Sequence, residues 1–191
     1  MPIVNINEVK RYLDVSEPID DLMLEECIAR AQALLEQNTG RYLDSVKETR
    51  FFQAPKYGGA TLMLDNDLMN LIRVVNGDGE EISPYDVIYE PINGWPKYAI
   101  ELRASAETAW VSDDALISVR GEWAWIDKHK QPTYRYQGAK QAVIRLTSYL
   151  YKQRDSQVFE TTAFMDGGVL TIPQGMPKSV LDWIDGNRRY V

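Results

Sequence analysis

The stretch LMLEECIARAQALLEQNTG, residues 22–40, decides the fold of this chain because its periodicity is helical and that of the residues after it is not. Its apolar residues recur at spacings of three and four, which places them on one stripe of a helix. These residues are Leu24, Ile28, Ala31 and Leu35, and the stripe is widened by Cys27 and Leu34. Gly40 supplies the left-handed residue with which many helices end. The sequence therefore predicts a long amphipathic helix that ends before Gly40.

Three other segments have helical patterns. INEVKRYLDV, residues 6–15, begins near Asn5 and Asn7, either of which can cap a short helix. YQGAKQAVIRLTSYLYKQRD, residues 136–155, has an apolar face, and PKSVLDWIDGNRR, residues 177–189, starts at a proline that can open a helix. The apolar face of residues 136–155 consists of Ala139, Val143, Leu146 and Leu150. Pro18, Asp20 and Asp21 suit the first turn of the long helix.

Between the long helix and residue 123 the period changes to that of strands. Short runs rich in β-branched and aromatic residues are separated by turn residues such as NGDGE and PINGWP. The runs are TRFFQA (49–54), TLML (61–64), LIRVV (71–75), YDVIYE (85–90), YAIEL (98–102) and ALISVRGEW (115–123). They predict a small, mostly antiparallel β module.

The predicted fold is α+β: a small helical bundle with an inserted antiparallel β module and a C-terminal arm plus helix. The predicted domains are a helical core at 1–46 and 135–155, a β insertion at 47–134, and the C-terminal arm and helix at 156–191. In the last of these, residues 156–176 have turn residues and isolated hydrophobic residues but no long periodic pattern. Such a segment is typical of an arm that becomes ordered against a partner.

RVVNGDGEEIS, residues 73–83, is the nearest approach to a chemical motif. An EF-hand loop counted from Asn76 requires Gly at its sixth position and Glu at its twelfth, where this chain has Glu81 and Val87. No Gly-Lys-Ser/Thr follows that would form a phosphate loop. A tight hairpin turn explains the composition, because Asn and Gly adopt positive φ at low cost and exposed acids keep the tip solvated.

Residues that enzymes use for catalysis are sparse. His129 is the only histidine and lies in KHK, which is typical of an exposed loop and offers no zinc site. The single cysteine, Cys27, lies in an apolar stripe, where thiols are usually buried. A small hydrolase or nucleotide-binding enzyme is disfavoured, since no nucleophile elbow or phosphate loop is present. We expect no catalytic, cofactor-binding or metal-binding residues and a protein that is not an enzyme.

The charge is unevenly distributed along the chain. The net charge of −7 divides into −5 over residues 1–46, −6 over 47–122 and +4 over 123–191. The acidic part disfavours binding to DNA phosphates, while the basic part permits a local contact. No apolar run approaches the roughly 20 residues of a membrane span. The first residues lack the pattern of a secretory signal, and the lone cysteine suits a reducing cytoplasm.

The segment GEWAW, residues 121–125, places Trp123 and Trp125 on the same strand face as Gly121. Packing in the core of the β module is the default expectation for such large aromatic residues. Contact between subunits is the alternative, because aromatic residues are enriched at interface hot spots.

Three segments, taken in order, resemble the small head–tail connector (adaptor) proteins of tailed bacteriophages. Residues 6–43 are similar to the family's opening of a short helix, an acidic break and a long helix that ends in a TGR-like corner. Residues 74–102 resemble the β insertion of longer members, and residues 117–155 resemble a strand followed by a closing helix. The resemblance covers most of residues 1–155 and weakens beyond them. Ala124 stands where glycine is common in relatives.

The resemblance implies a structural protein of the virion neck, made in the cytoplasm of the host bacterium. Members form a ring beneath the portal, usually of twelve subunits, which extends the DNA channel and presents a surface to the next head-closure or tail protein. Helices at 6–38 and 136–153 would form the ring wall and the subunit contacts, and the β insertion would lie outside or below. Genome DNA would pass through without sequence-specific binding, and neither a cofactor nor a membrane is implied.

The C-terminal helix and arm would, by the same resemblance, reach the portal protein. Trp183, Arg188, Arg189 and Tyr190 are of the residue types that anchor such contacts. A frayed terminus with two solvated arginines is the alternative for this segment. The alternative function is a head-closure or tail-terminator ring component that does not touch the portal.

Overall fold

A computed structural model describes residues 2–15, 20–112, 115–127, 129–130, 133–156, 162–163, 169–170 and 175–189. The chain divides into two compact units. The helical unit combines Met1–Thr39 with Gln137–Arg189, and the β unit consists chiefly of Gly40–Tyr136. The predicted α+β class is confirmed, because helices and an antiparallel sheet occupy separate parts of the chain.

Four α-helices occur in the described part of the chain, and each lies where the sequence predicts a helix. They are α1 (Ile6–Leu13), α2 (Asp21–Thr39), α3 (Thr133–Ser156) and α4 (Lys178–Asn187). Of the two candidate caps for α1, the structure uses Asn5. The Asn5 side chain accepts a hydrogen bond from the backbone N–H of Asn7 at 2.9 Å. The Glu8 carboxylate in turn accepts the backbone N–H of Asn5 at 3.0 Å, which completes a capping box.

The apolar stripes predicted for the helices are buried in the helical unit. All four residues of the α2 stripe are buried, and α2 ends at Gly40, which has a φ of 67°. Ala139, Val143 and Leu146 of the predicted α3 face are buried too, whereas its fourth residue, Leu150, is half-buried. Val180 and Ile184 of α4, for which no apolar face is predicted, are also buried. Helical spacing thus identifies part of the core of this unit.

Polar contacts join the ends of these helices. The Lys140 ammonium on α3 pairs with the Glu8 carboxylate on α1, and the Tyr151 hydroxyl donates to Asp20. The backbone N–H of Arg189, beyond α4, donates to the carbonyl of Thr39 at 2.8 Å. This bond satisfies a carbonyl that the end of α2 would otherwise leave without a helical partner.

The β unit contains one six-stranded antiparallel sheet in the order β1-β6-β2-β5-β4, with β3 paired to β2. Its strands are β1 (Val46–Phe52), β2 (Thr61–Val75), β3 (Glu81–Ile82), β4 (Val87–Glu90), β5 (Lys97–Leu102) and β6 (Ile117–Trp123). The first half of β2 pairs with β5 and its second half pairs with β6. Buried residues from both halves form one cluster, so the sheet curls around its own core. That cluster includes Leu62, Leu64, Ile100, Leu102, Ile117, Val119 and Trp123.

The prediction of separate strands at 61–64 and 71–75 is wrong, because β2 is a single strand of 15 residues. The polar run between the two segments suggests a break, yet Asn66 and Asp67 are buried within the strand. Asp67 is neutralised there by Arg41, at 2.7 Å. The pairing of β2 with β5 shifts register between Met63 and Leu68, so the strand passes through an irregularity where the two halves of the sheet meet.

The turn after β2 confirms the predicted hairpin but corrects the role of its residues. Val74 and Val75 face Ile82 and Glu81, and Asp78, Gly79 and Glu80 are exposed. Of the two glycines only Gly79 has a positive φ, of 88°. Asn76 is buried: its side-chain amide donates to the carbonyl of Ala109, and its Oδ1 accepts the N–H of Val111 at 3.0 Å. The Asn-Gly pair therefore anchors the loop before β6 as well as turning the chain.

The segment 156–176, predicted as an arm without regular structure, contains two short strands. β7 (Thr162–Ala163) pairs in antiparallel fashion with β8 (Val169–Leu170). Strands of two residues are too short to produce a detectable alternation, so no sequence pattern could have identified them. Residues 157–161, 164–168 and 171–174 of the predicted arm lie outside the described part of the chain.

Replacing Gly77 by Ala should destabilise the protein by at least about 3 kcal/mol, because overpacking against rigid backbone is costly. A Cβ at this position would lie 2.3 Å from the carbonyl oxygen of Ala115 and 2.5 Å from that of Val111. Gly79→Ala is the matched control, since a Cβ there meets nothing within 4 Å and the cost is only the backbone strain, about 1 kcal/mol. Urea denaturation measures the free energy of unfolding of both variants. Equal decreases for Gly77→Ala and Gly79→Ala would contradict the close backbone packing at Gly77.

Glu8 should contribute stability that disappears in acid. Burial opposes ionisation of its carboxyl, but the hydrogen bonds from Asn5 and Lys140 outweigh burial and lower the pKa of Glu8 below 4.5. The stabilisation is therefore present above the unfolded-state pKa and is lost as the pH falls through the folded-state value. Glu8→Gln should lower the unfolding free energy at neutral pH and flatten its decline in acid. Glu26→Gln, at an exposed position on α2, is the control: it should change neither the unfolding free energy at neutral pH nor its decline in acid.

Candidate interaction surfaces

Of the residues considered for catalysis or metal binding, His129 belongs to the β unit and Cys27 to the helical unit. No group of three His, Cys, Asp or Glu side chains there could hold a metal ion. His129 is exposed, as predicted, and its backbone N–H donates to the Asp127 carboxylate at 2.6 Å. Cys27 is half-buried on α2. Among the described helices, none has the length and apolar character needed to cross a bilayer.

The residues predicted to contact the portal lie on and after α4. Trp183 is half-buried against Gly138 of α3, so part of its ring already packs within the helical unit. Arg188 is exposed and lies 3.9 Å from the Asp185 carboxylate, a weak ion pair. Arg189 is half-buried, with its backbone held by Thr39, and Tyr190 lies outside the described residues. Arg188 therefore presents the most accessible cation of this group, and the portal contact stays a prediction.

The two tryptophans of GEWAW are buried in the β unit. Trp123 is 0% exposed and Trp125 is 5% exposed, and only Trp123 belongs to β6. Trp123 packs beside Phe52, with ring centroids 6.4 Å apart, and its indole N–H donates to the carbonyl of Glu48 at 3.2 Å. Within the single chain, both tryptophan rings are buried, as the expectation of core packing predicts. Their role in subunit contact remains a prediction that the single chain does not test.

Arginines stack on both tryptophans and carry ion pairs at the same time. The Arg50 guanidinium lies 5.1 Å from the Trp123 ring and 5.4 Å from the Tyr42 ring. It also pairs with Glu48 at 2.6 Å and with Asp65 at 2.8 Å. Burial opposes its charge, but the two carboxylates outweigh burial and raise the pKa of Arg50. Sequence reasoning missed this cluster, because its members come from three separate segments.

A second cluster surrounds Trp95 in the turn between β4 and β5. The ammonium groups of Lys97 and Lys130 lie 4.6 Å and 4.7 Å from its ring, and Arg135 donates to its carbonyl at 2.8 Å. Lys97 is buried and donates to the carbonyls of Pro91 and Ile92. Burial lowers the pKa of Lys97, although nearby Glu90 opposes that shift. The turn is thus held from within by a lysine whose charge is desolvated.

A groove runs beside β4, which is an edge strand of the described sheet. Its volume is about 490 Å³, and its lining is mainly apolar and aromatic. The lining residues are Pro84, Tyr85, Val87, Ile88, Tyr89, Ile92, Trp95, Lys97 and Arg103. Edge strands are open to pairing with another chain, so this groove is one candidate contact surface.

Comparison with known proteins identifies similar chains by structure only. No protein-family model and no curated protein matches this sequence. A chain in the virion of the native gene transfer agent (GTA) particle is similar, with a TM-score of 0.60 and 16% identity over 99% of this chain and 91% of that one. A chain in the neck of the empty GTA particle, computed with C6 symmetry, has a TM-score of 0.62 and 16% identity with the same coverage. A chain in the neck of the native GTA particle, computed with C12 symmetry, has a TM-score of 0.60 and 15% identity, covering 97% and 88%.

The likeness establishes the fold. It extends over both the helical unit and the β unit, since nearly the whole length of this chain is matched. At this level of identity the individual contact residues of those chains do not transfer to this one.

Arg50→Met should destabilise the β unit by about 1–3 kcal/mol, because a guanidinium that is only 16% exposed then no longer donates to Glu48 and Asp65 or stacks on the Trp123 ring. Arg73→Met is the matched control. Arg73 also forms an ion pair, with Glu81 at 2.8 Å, but both side chains are 55% exposed. Exposed pairs contribute only about 0–1 kcal/mol. Thermal unfolding of both variants measures the difference, and a larger loss for Arg73→Met would refute the assignment.

Proposed function

We propose that this protein is a non-catalytic component of the neck of a tailed-phage-like particle, where copies form a ring around the passage for DNA. The observation that carries the proposal is the extent of the structural likeness. Chains of GTA particles, two of them described as neck, match 97–99% of this chain with TM-scores of 0.60–0.62. The adaptor-like order of sequence segments supports the same assignment independently.

The finer proposal is an adaptor that binds beneath the portal in twelve copies and receives the next head-closure or tail protein. The C12 symmetry applied to the neck of the native GTA particle supports a twelvefold count. The charge distribution is compatible with a DNA passage. Residues 1–122 carry a net charge of −11, which repels the DNA backbone, and residues 123–191 carry +4, which suits an acidic docking surface.

Mixing the protein with an intact portal should produce a ring on the portal that negative-stain microscopy detects. Absence of a ring would overturn the adaptor assignment. Failure to bind the portal together with binding to a later tail component would favour a head-closure or tail-terminator role instead.

The structure decides which variant tests the C-terminal contact. Deletion of residues 156–191 removes Val180 and Ile184 from the core of the helical unit, so lost binding would have two explanations. Arg188→Glu reverses an exposed charge and leaves that core intact. It should weaken portal binding about tenfold or more, as loss of a charged interface contact does. Lys56→Glu, at an exposed position of the β unit outside the helices of the proposed ring wall, is the matched control and should bind normally.

A further inference from the structure

The outer face of the β1–β6–β2 layer carries one exposed phenylalanine. Along β1, Glu48, Arg50 and Phe52 are half-buried, whereas Thr49 and Phe51 point away from the core. Phe51 is 63% exposed and faces Ser118 of β6, which in turn faces Val75 of β2. The ring thus projects from the outer face of β1, an edge strand of the described sheet.

Phe51 is unusual among the exposed aromatic residues that the structure describes. The other rings that are more than half exposed belong to tyrosines, whose hydroxyl groups remain favourable in water: Tyr12, Tyr57, Tyr85 and Tyr134. Burial of a phenylalanine side chain contributes about 1.5–3 kcal/mol. A strand holds this ring rigidly, so little entropy is lost when a partner covers it.

The charge beside Phe51 is positive. Arg120 lies on the same outer face, where it faces Thr49 on one side and Arg73 on the other. Arg73 is paired with Glu81, whereas Arg120 is exposed and has no ion-pair partner among the described residues. Like charges in directly opposed positions are unfavourable. An acidic partner would relieve that repulsion.

The helical unit has a cavity, called the notch below, whose lining includes apolar side chains and one carboxylate. This cavity of about 360 Å³ lies at the start of α1 beside α2 and is lined by Pro2, Val4, Asn5, Ile6, Glu25 and Ile28. An apolar cavity of about 150 Å³ is enough to hold a benzene ring. Glu25 contributes a carboxylate to the notch, and both it and its neighbour Glu26 are exposed. Leu22, one turn earlier on α2, is 80% exposed.

We propose that Phe51 of one copy inserts into this notch on a second copy, with Arg120 opposite Glu25. The partner is therefore this same chain, chosen because an apolar ring beside a cation matches a notch that combines apolar side chains with a carboxylate. The two surfaces are different patches, so the contact is head-to-tail, the type from which closed rings are built. This inference rests on the proposed ring and specifies how its subunits meet.

Disulfide trapping tests the contact even if it is weak. In a Cys27→Ala background, a chain with Thr49→Cys is mixed under mild oxidation with a chain carrying Leu22→Cys. Thr49 is exposed on the same face of β1 as Phe51, and Leu22 is exposed one turn from Glu25, so the cysteines flank the contact and leave its partners in place. The expected product is a cross-linked heterodimer that exceeds either homodimer, and Phe51→Ala in the first chain should lower its yield. Tyr57→Cys in place of Thr49→Cys is the matched control, since Tyr57 is 103% exposed on the same unit but outside the proposed contact. Equal yields for the two pairs, or no cross-link from either, overturn the proposal.

Charge reversal gives an independent readout on the same pair. Arg120→Glu in the first chain should lower the cross-linking yield about tenfold, and Glu25→Arg in the second should restore it. Lys56→Glu, at an exposed position away from the contact, should leave the yield unchanged. If Arg120→Glu lowers the cross-linking yield and the reversed charge in the second chain does not restore it, the proposed pairing of Arg120 with Glu25 is wrong. A negative result here leaves ring formation on the portal intact as a separate question, which microscopy answers.

Discussion

The shape of the β unit depends on neutralising one buried carboxylate. Asp67 is 3% exposed in the middle of β2, at the end of the stretch where the pairing with β5 shifts register. Arg41 neutralises it at 2.7 Å, and the Asp67 carbonyl accepts the N–H of Ala124 at 2.9 Å. A buried ion pair adds little net stability, but removal of one partner costs about 3–5 kcal/mol. The ion pair between Arg41 and Asp67 favours this particular strand arrangement, because it lets a carboxylate lie buried in β2 where the strand passes from pairing with β5 to pairing with β6.

Cations also stack on the aromatic rings of the β unit. Arg41 and Arg135 lie over Trp125 at 5.2 Å and 5.8 Å, as Arg50 lies over Trp123 and two lysines lie over Trp95. A planar guanidinium can stack on a ring and still donate to a carboxylate in its own plane, as Arg41 does to Asp67 and Arg50 does to Glu48. In the proposed neck ring, a surface already ordered by such contacts would lose less entropy on assembly.

How far the sequence predicts this structure depends on whether the information is local. Helical spacing identified the buried stripe of α2 and most of the predicted face of α3, and the composition of the turn identified the hairpin after β2. The polar run inside β2 misled the prediction, because only a partner 26 positions away in the chain makes Asp67 tolerable there. The cluster at Arg50 was missed for the same reason. Charges and rings that meet through folding leave no periodic signal in the chain.

The free energies involved in the proposed contact between copies explain why subunits of the proposed ring would stay dispersed in solution until a support such as the portal holds them together. Burying Phe51 and pairing one exposed arginine together contribute only a few kcal/mol. Bringing two proteins together costs an estimated 4–15 kcal/mol in translational and rotational freedom. One head-to-tail contact of this kind is therefore weak by itself. Copies held side by side on a symmetric support no longer incur that cost for each contact, because the effective local concentration is already high. For the proposed ring, assembly is therefore favoured on the support and disfavoured in free solution.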